Sequence, residues 1–185
     1  MLKEIGTKTI ETDRLILRKF TLSDVDGMYN NWATDIETCR ILYWNVHDNK
    51  EVTQSIVSDW INKYNNPFYY NWVIELKETN EIIGNISSVN NIPVDMVCEV
   101  GYCLGSKYWN KGYGTECLRA VIEFLLNEVG FRLIEAQCIS DNHASGRIME
   151  KAGMKKDAVL RSRRINKDTK NVSDTIIYSI MKEEL

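Results

Sequence analysis

The segment Trp109-Asn110-Lys111-Gly112-Tyr113-Gly114-Thr115 stands between a β-type run and an amphipathic helical stripe, and it constrains this chain more than any other stretch. Glycines at a strand-to-helix junction let successive backbone N–H groups turn into one concavity, and the start of the helix adds partial positive charge. The guest that suits such a concavity is a phosphate or pyrophosphate. Two common nucleotide loops do not fit. A Walker A loop, GxxxxGK[ST], counted from Gly105 puts Asn110 where its second glycine belongs, and Gly112 follows Lys111. A dinucleotide GxGxxG loop takes Gly112 and Gly114 but meets Cys117 at its third glycine. Glu135, 21 residues after Gly114, superficially suits a ribose-binding acid, yet seven residues separate the preceding strand from Gly112, where such a turn is tight. An isolated GxG also arises by chance as a simple loop cap, so its flanks must decide.

Residues 14–20 (RLILRKF) read as a short strand, and Thr21 with Asp24 makes a capping box for a helix carrying Val25, Met28, Tyr29 and Trp32 on one stripe. Asp48 with Glu51 is a second capping signal, ahead of a helix that buries Val52, Ile56, Val57, Trp60, Ile61 and Tyr64. From residue 69 the period changes: YYNWVIEL and EIIGNISSV predict a hairpin turning at 77–80. A third strand over 97–104 contains Gly101, the mark of a bulge or of close approach by another backbone or ligand. The helix after the glycine loop places Cys117, Leu118, Val121, Ile122, Leu125 and Leu126 in the core and stops near Gly130. A strand over 133–139, a short helix over 143–152 closed by Gly153, and a hairpin of 158–164 with 172–180 complete the chain. No repeat or linker interrupts this order, so the 185 residues predict a single domain, 1–185, with a mixed, partly antiparallel sheet and helices on its faces.

Hydrophobic residues make 44% of the chain and charged residues 26%, enough to bury a core. Lys and Arg number 23 against 26 Asp and Glu, a net charge of −3 that argues against direct nucleic-acid binding by the whole surface. Cys39, Cys98, Cys103, Cys117 and Cys138 form no CxxC pair and read as reduced core residues of a cytoplasmic protein. His47 and His143 have no close partner ligands, so no metal is expected. No signal peptide or membrane span is visible, which makes the cytoplasm the default location.

The blocks TDRLILRKFTLSDV, WVIEL with IIGNI, EVGYCLGSKYWNKGYGTECL and DNHASGRIMEKAGM, in this order, resemble the GNAT superfamily of N-acetyltransferases, specifically its RimJ/RimL-type branch. The resemblance runs from residue 14 nearly to the last strand. It implies an α/β (α+β) fold, a largely antiparallel central sheet flanked by helices with a V-shaped split between its two central strands, and acetyl-CoA as co-substrate. In that family a Q/RxxGxG/A loop binds the pyrophosphate of acetyl-CoA through backbone amides. Here the resemblance assigns this to Asn110, Lys111, Gly112, Tyr113, Gly114 and Thr115, with Trp109 in place of the usual Arg or Gln. Tyr102, Cys103 and Leu104 would pair with the pantetheine arm lying in the split, and one of their N–H groups could face a developing oxyanion.

Asn142 matches the family's cofactor-contacting asparagine and is also a plain helix cap. Ser145 matches the serine placed near the cofactor sulfur, where its hydrogen bond would stabilise the departing thiolate. Two family positions are changed: a tyrosine acid falls on Met149, and a glutamate base falls on Gln137, which cannot act as a base. Glu99 is the alternative base, since alternation puts it on one face with Val97, Gly101 and Cys103; it reads equally as an exposed strand carboxylate.

For the acceptor, Asp35, Glu37, Tyr43, Trp44 and His47 form a candidate groove, with carboxylates attracting a cationic amine. Trp32 and Trp60 fall on helix stripes and read as packing. Arg161, Arg163, Arg164, Lys167 and Lys170 read as a solvated hairpin face, with an acidic partner such as RNA as the other reading. The resemblance implies an amine acceptor, either a protein N-terminus, ribosomal proteins included, or a small molecule; a homodimer is compatible with it. The other class is a non-catalytic acyl-CoA-binding or sensing module. Ser145 and Glu99 favour the enzyme, Met149 and Gln137 the module.

Overall fold

In the computed structural model, which describes residues 1–167 and 169–185, eight strands among the described residues build one sheet. They are β1 (Ile10–Glu11), β2 (Leu15–Arg18), β3 (Asn71–Leu76), β4 (Ile82–Ile92), β5 (Val97–Leu104), β6 (Leu133–Ile139), β7 (Lys155–Ile165) and β8 (Val172–Met181), in the spatial order β1-β2-β3-β4-β5-β6-β8-β7. Neighbours are antiparallel except β5 and β6. That parallel pairing covers only Val97 with Leu133, Cys98 with Ile134 and Glu99 with Glu135. Beyond it the two strands run on without a shared ladder, which opens the V expected from the resemblance.

Alternation along β5 sends side chains into two separate cores. On one face Cys98, Val100 and Leu104 meet α4 (Tyr113–Glu123) and α5 (His143–Lys151). The six positions expected from helical spacing, Cys117, Leu118, Val121, Ile122, Leu125 and Leu126, are all fully buried there, although the last two lie in a π-turn over Phe124–Val129 that continues α4. Gly130 and Gly153 close these helices at φ of +100° and +97°, the left-handed region where a side chain is strained. On the other face Cys103, Val73 and Ile82 pack with Trp32 and Val57 from α1 (Val25–Met28), its π-turn extension, and α3 (Lys50–Lys63).

The structure corrects several expectations. The cap of α3 is Asn49, whose Oδ1 accepts the Val52 N–H at 3.0 Å, rather than Asp48. The one-residue shift leaves Val52 exposed and buries Thr53. Of the two readings of Gly101, the bulge lies in the neighbouring β4, between Ser88 and Asn90, and the close approach is to the Val89 side chain, 2.9 Å from where a Cβ on Gly101 would stand. Strand β1 and a short helix α2 (Ile36–Arg40) were not expected, and the last hairpin extends beyond 158–164 and 172–180. All five cysteines are buried and free. Among the described residues no His/Cys/Asp/Glu group could hold a metal, and no helix is long and apolar enough to cross a membrane.

One ion cluster fastens β2 to the start of α1. Arg18 Nη2 lies 2.8 Å from Asp24 Oδ1 and its Nε donates to Glu75 Oε2 at 2.7 Å, while Asp24 also accepts the Thr21 N–H at 2.8 Å. Burial opposes ionisation of Asp24, but these hydrogen bonds outweigh it and hold the carboxyl below its ordinary 3.8. Its contribution is therefore complete above about pH 3.8 and is lost as pH falls through the lower folded-state value. Asp24→Asn should cost about 2–3 kcal/mol in urea unfolding at pH 7 and weaken the acid dependence; an unchanged midpoint would show that the cluster does not stabilise the fold.

Candidate active site

The glycine loop turns sharply into the helix that follows it. Asn110 and Gly112 both adopt positive φ, +60° and +83°, and Gly112 is the residue preceding α4. The first helical bond runs from Glu116 N–H to Gly112 O at 3.1 Å, so the N–H groups of Tyr113, Gly114 and Thr115 have no acceptor inside the helix. They converge with the helix dipole on one spot. A Cβ on Gly114 would stand 2.9 Å from Ile148 Cδ1, so this glycine lets α4 and α5 approach closely.

A tie not singled out in the sequence secures this loop. The Glu116 carboxylate accepts from Thr12 Oγ1 at 2.6 Å, from Arg14 N at 2.9 Å and from Arg14 Nε at 2.7 Å. Arg14 Nη1 in turn donates to Lys111 O at 2.9 Å, and the guanidinium lies 4.5 Å from the Tyr113 ring centre. Burial opposes the charge on Glu116, but these donors hold its carboxyl below the ordinary value. The turn between β1 and β2 thus clamps the loop and the helix start together.

The split offers a main-chain edge. Gly105 N–H bonds Ile83 O at 3.0 Å, and alternation then directs the main chain of Cys103, paired with Asn85, toward β4. Tyr102 and Leu104 face the split instead. Leu104 O is taken by Trp109 Nε1 at 2.7 Å and Thr38 Oγ1 at 3.2 Å, which leaves Leu104 N–H and both polar groups of Tyr102. Cys103 reaches the cleft by its side chain alone: its thiol donates to Asn85 Oδ1 at 3.0 Å, and burial pushes it up to about 12.

A cavity of about 660 Å³ occupies the split and brings together Glu99, Tyr102, Cys103, Asn142 and Ser145 with Tyr43, Trp44 and His47, whereas Leu104 and the glycine loop 110–115 do not line it. On the α5 side Tyr102 Oη lies 2.9 Å from Ser145 Oγ. Burial pushes the Tyr102 phenol up, so it remains protonated. Asn142 Oδ1 accepts the Ser145 N–H at 3.1 Å, capping α5 and holding Ser145 in its first turn. Met149 is part of the core beneath, with its edge on the cavity. Glu99 lines the wall and accepts a hydrogen bond from Gln137 Nε2, so the glutamine that replaces the family's base orients this carboxylate. Glu135, beside Glu99 in the parallel register, is pushed up by burial and by the charges of Glu99 and Asp157.

The acceptor groove differs from expectation. Asp35 does not line the cavity: it caps α2 through Glu37 N at 3.2 Å and accepts from Thr38 Oγ1 at 2.6 Å and Ser106 N at 2.7 Å. Glu37 is exposed and paired with Arg40 at 3.0 Å. Tyr43, Trp44 and His47 do line the cavity. His47 Nδ1 is 2.8 Å from Thr53 Oγ1, and burial holds the imidazole below its ordinary 6.5, hence neutral at pH 7. Trp60 also borders the cavity, whereas Trp32 is fully buried. Two members of the basic cluster turn inward: Arg164 stacks 3.6 Å over the Tyr43 ring, and Lys167 Nζ donates to Cys39 O at 2.9 Å and to Trp44 O. Arg161, Arg163 and Lys170 remain exposed. A larger, shallower depression of about 1010 Å³ between residues 8–14 and α4 touches Gly112 and Thr115 of the loop but none of the groups of the split.

Residues 14–155 match the family model described as an acetyltransferase (GNAT) domain. The chain is 30% identical over 175 residues to "Uncharacterized N-acetyltransferase YoaA" of Bacillus subtilis, covering 94% of this chain and 96% of that protein. Its fold matches the GNAT-family acetyltransferase from Bacillus anthracis with a TM-score of 0.82 at 25% identity, over 96% of this chain and 100% of that one. A RimL ribosomal L7/L12 α-N-protein acetyltransferase in complex with coenzyme A matches in fold with a TM-score of 0.83 at 18% identity, over 94% and 98% of the two chains. Arg14→Ala should loosen the clamp on the glycine loop and weaken acetyl-CoA binding about tenfold, ~1.4 kcal/mol, in isothermal titration; an unchanged Kd would show that the loop keeps its shape without Arg14.

Proposed function

The chain belongs to the GNAT acetyltransferase family and takes its acetyl group from acetyl-CoA, and on that premise we propose that it acetylates a primary amine by direct attack in the cleft between β5 and β6, as a RimJ/RimL-type enzyme. The observation that supports this reading is the meeting of three things in one cavity: the unpaired edge of β5, the Tyr102–Ser145 hydroxyl pair, and the Glu99 carboxylate.

Bound acetyl-CoA supplies an activated thioester. The N–H groups of Tyr113, Gly114 and Thr115 hold its pyrophosphate, and the free main-chain groups of Tyr102 and Leu104 take up the pantetheine amides as an added strand would. Ser145 donates a hydrogen bond to the leaving sulfur. Its hydroxyl is a weak acid, so it stabilises developing charge instead of surrendering a proton outright; the Tyr102 phenol, hydrogen-bonded to Ser145, can complete the relay. The incoming amine, with a pKa of about 8 for an α-amine or about 10.4 for a lysine, passes its proton to Glu99 or to water beside it. Cys103, pushed up to about 12, is not a thiolate at neutral pH, which supports direct transfer without an acyl-enzyme.

An acetyl-CoA consumption assay against N-terminal peptides, polyamines and aminoglycosides tests the activity; no acceptor-dependent release of CoA would count against it. Gly112→Glu sets a side chain at φ +83° with its Cβ 3.2 Å from Arg14 Nη2 and a carboxylate where pyrophosphate should lie; affinity for acetyl-CoA should fall by about a hundredfold or more, and undiminished affinity would refute the loop assignment. Ser145→Ala should lower kcat on the order of a hundredfold while the Kd for acetyl-CoA changes little; equal turnover across the panel would remove Ser145 from the mechanism.

A further inference from the structure

The charge at the acceptor end of the cavity is the reverse of what Asp35 and Glu37 suggested. Neither carboxylate reaches it; of the two charged side chains that line the cavity, Glu99 stands on the β5 wall and Arg164 beside Tyr43. No ion pair among the described residues includes Arg164. Arg164 is half-buried, and its guanidinium carbon stands over the Tyr43 ring, 3.6 Å from the ring centroid. Stacking fixes the plane of a guanidinium while leaving its edge, with paired N–H donors, free to meet a carboxylate or phosphate in a two-point contact.

The fold goes out of its way to put Arg164 there. β7 pairs Leu160 with Thr175 and then Arg164 with Ser173, so 161–163 bulge out of the ladder. Ser162 at the bulge takes φ +52°, and its N–H donates to Asp174 Oδ1 at 2.8 Å. An unbroken ladder would set Ser162 opposite Ser173; the bulge substitutes Arg164. Ser173 shares a sheet face with Thr175 and Ile177, and Ile177 pairs with Gln137, the residue that orients Glu99. Bulges beside active sites commonly re-aim a side chain in this way. Lys167 then ties the hairpin tip to the loop carrying Tyr43 and Trp44 through the carbonyls of Cys39 and Trp44.

We propose that the acceptor is a primary amine carrying a second, anionic group, a carboxylate or a phosphate, which Arg164 receives at the far end of the cavity while the amine lies toward Glu99. This rests on the acetyltransferase reading above and adds the acceptor's chemical class to it. Arg164 is then a specificity-determining residue, and Tyr43 positions it.

The test uses amines paired with and without the anionic group: β-alanine with β-alaninamide and 4-aminobutyrate with 4-aminobutanamide, which are near-isosteric, and O-phosphoethanolamine with ethanolamine, plus 1,4-diaminobutane. Turnover is read as thiol release from acetyl-CoA. Binding without turnover is read, with CoA in place of acetyl-CoA, from the fluorescence of Trp44 and Trp60, which line the cavity. The wild type should favour the anionic member of at least one pair about tenfold or more in both readouts, and the carboxylate and phosphate arms show which anion fits. Arg164→Ala should weaken that member about 10- to 100-fold and leave its neutral partner within about twofold, Arg164→Lys should keep part of the preference, and Arg164→Glu should shift it toward the diamine. Equal losses for charged and neutral partners would make Arg164 a packing residue and overturn the inference, as would a wild type that prefers neutral or cationic amines or accepts none of the panel. A wild type that fails to bind acetyl-CoA would overturn the acetyltransferase reading first, whereas acetyl-CoA binding with no anionic preference would overturn this inference alone.

Discussion

Main-chain polar groups removed from water must be paired, and β5 beyond Glu99 has a protein partner on one side only. That half-finished ladder is the constraint on which the rest of the molecule depends. β4 fixes the strand from one side, while β6 pairs with it only as far as Glu99 and Glu135. What remains is a slot whose walls carry strand-like donors and acceptors, open to an extended ligand that presents amides of its own. The glycine loop sits at one end of this slot because the chain must turn from β5 into α4 there.

The second organising element is the side-chain clamp on that turn. A helix start gives oriented N–H groups, but only a fixed loop keeps them convergent, and Glu116 with Arg14 and Thr12 supplies the fixing from the far edge of the sheet. Because Gly114 lets α4 lie close against Ile148 of α5, the glycine loop and the helix bearing Ser145 are packed as one unit. The groups proposed to hold the cofactor's charged end and its sulfur end thus share a single packed frame.

Local periodicity made much of this legible before any coordinates. The bounds of β5 and β6 and the six core positions of α4 and its extension follow from patterns within about two turns or one strand. What escaped the sequence was long-range. Glu116 and Thr12 are 104 residues apart, and no spacing rule joins them. Asp35 looked like an acceptor carboxylate because its partner Ser106 is 71 residues away; in place it is a cap and a strut. Asn49 and Asp48 are both good caps, and only the packing of Thr53 against His47 chose between them. Arg164 was hidden in a run of similar charges, since a bulge two residues earlier decides which arginine points inward.

The two ends of the cleft differ in how they are built. The cofactor end is continuous with the sheet and its helix pair. The mouth is formed by two excursions, the loop between α2 and α3 and the tip of the β7–β8 hairpin, joined to each other by Lys167 and by the Arg164–Tyr43 stack. Leu42 and Trp44 of the first excursion also pack against the second core, so that loop is held by the framework as well as by the hairpin. A mouth tied in this way answers as one body: a change in either excursion alters the wall that the other presents to the cleft.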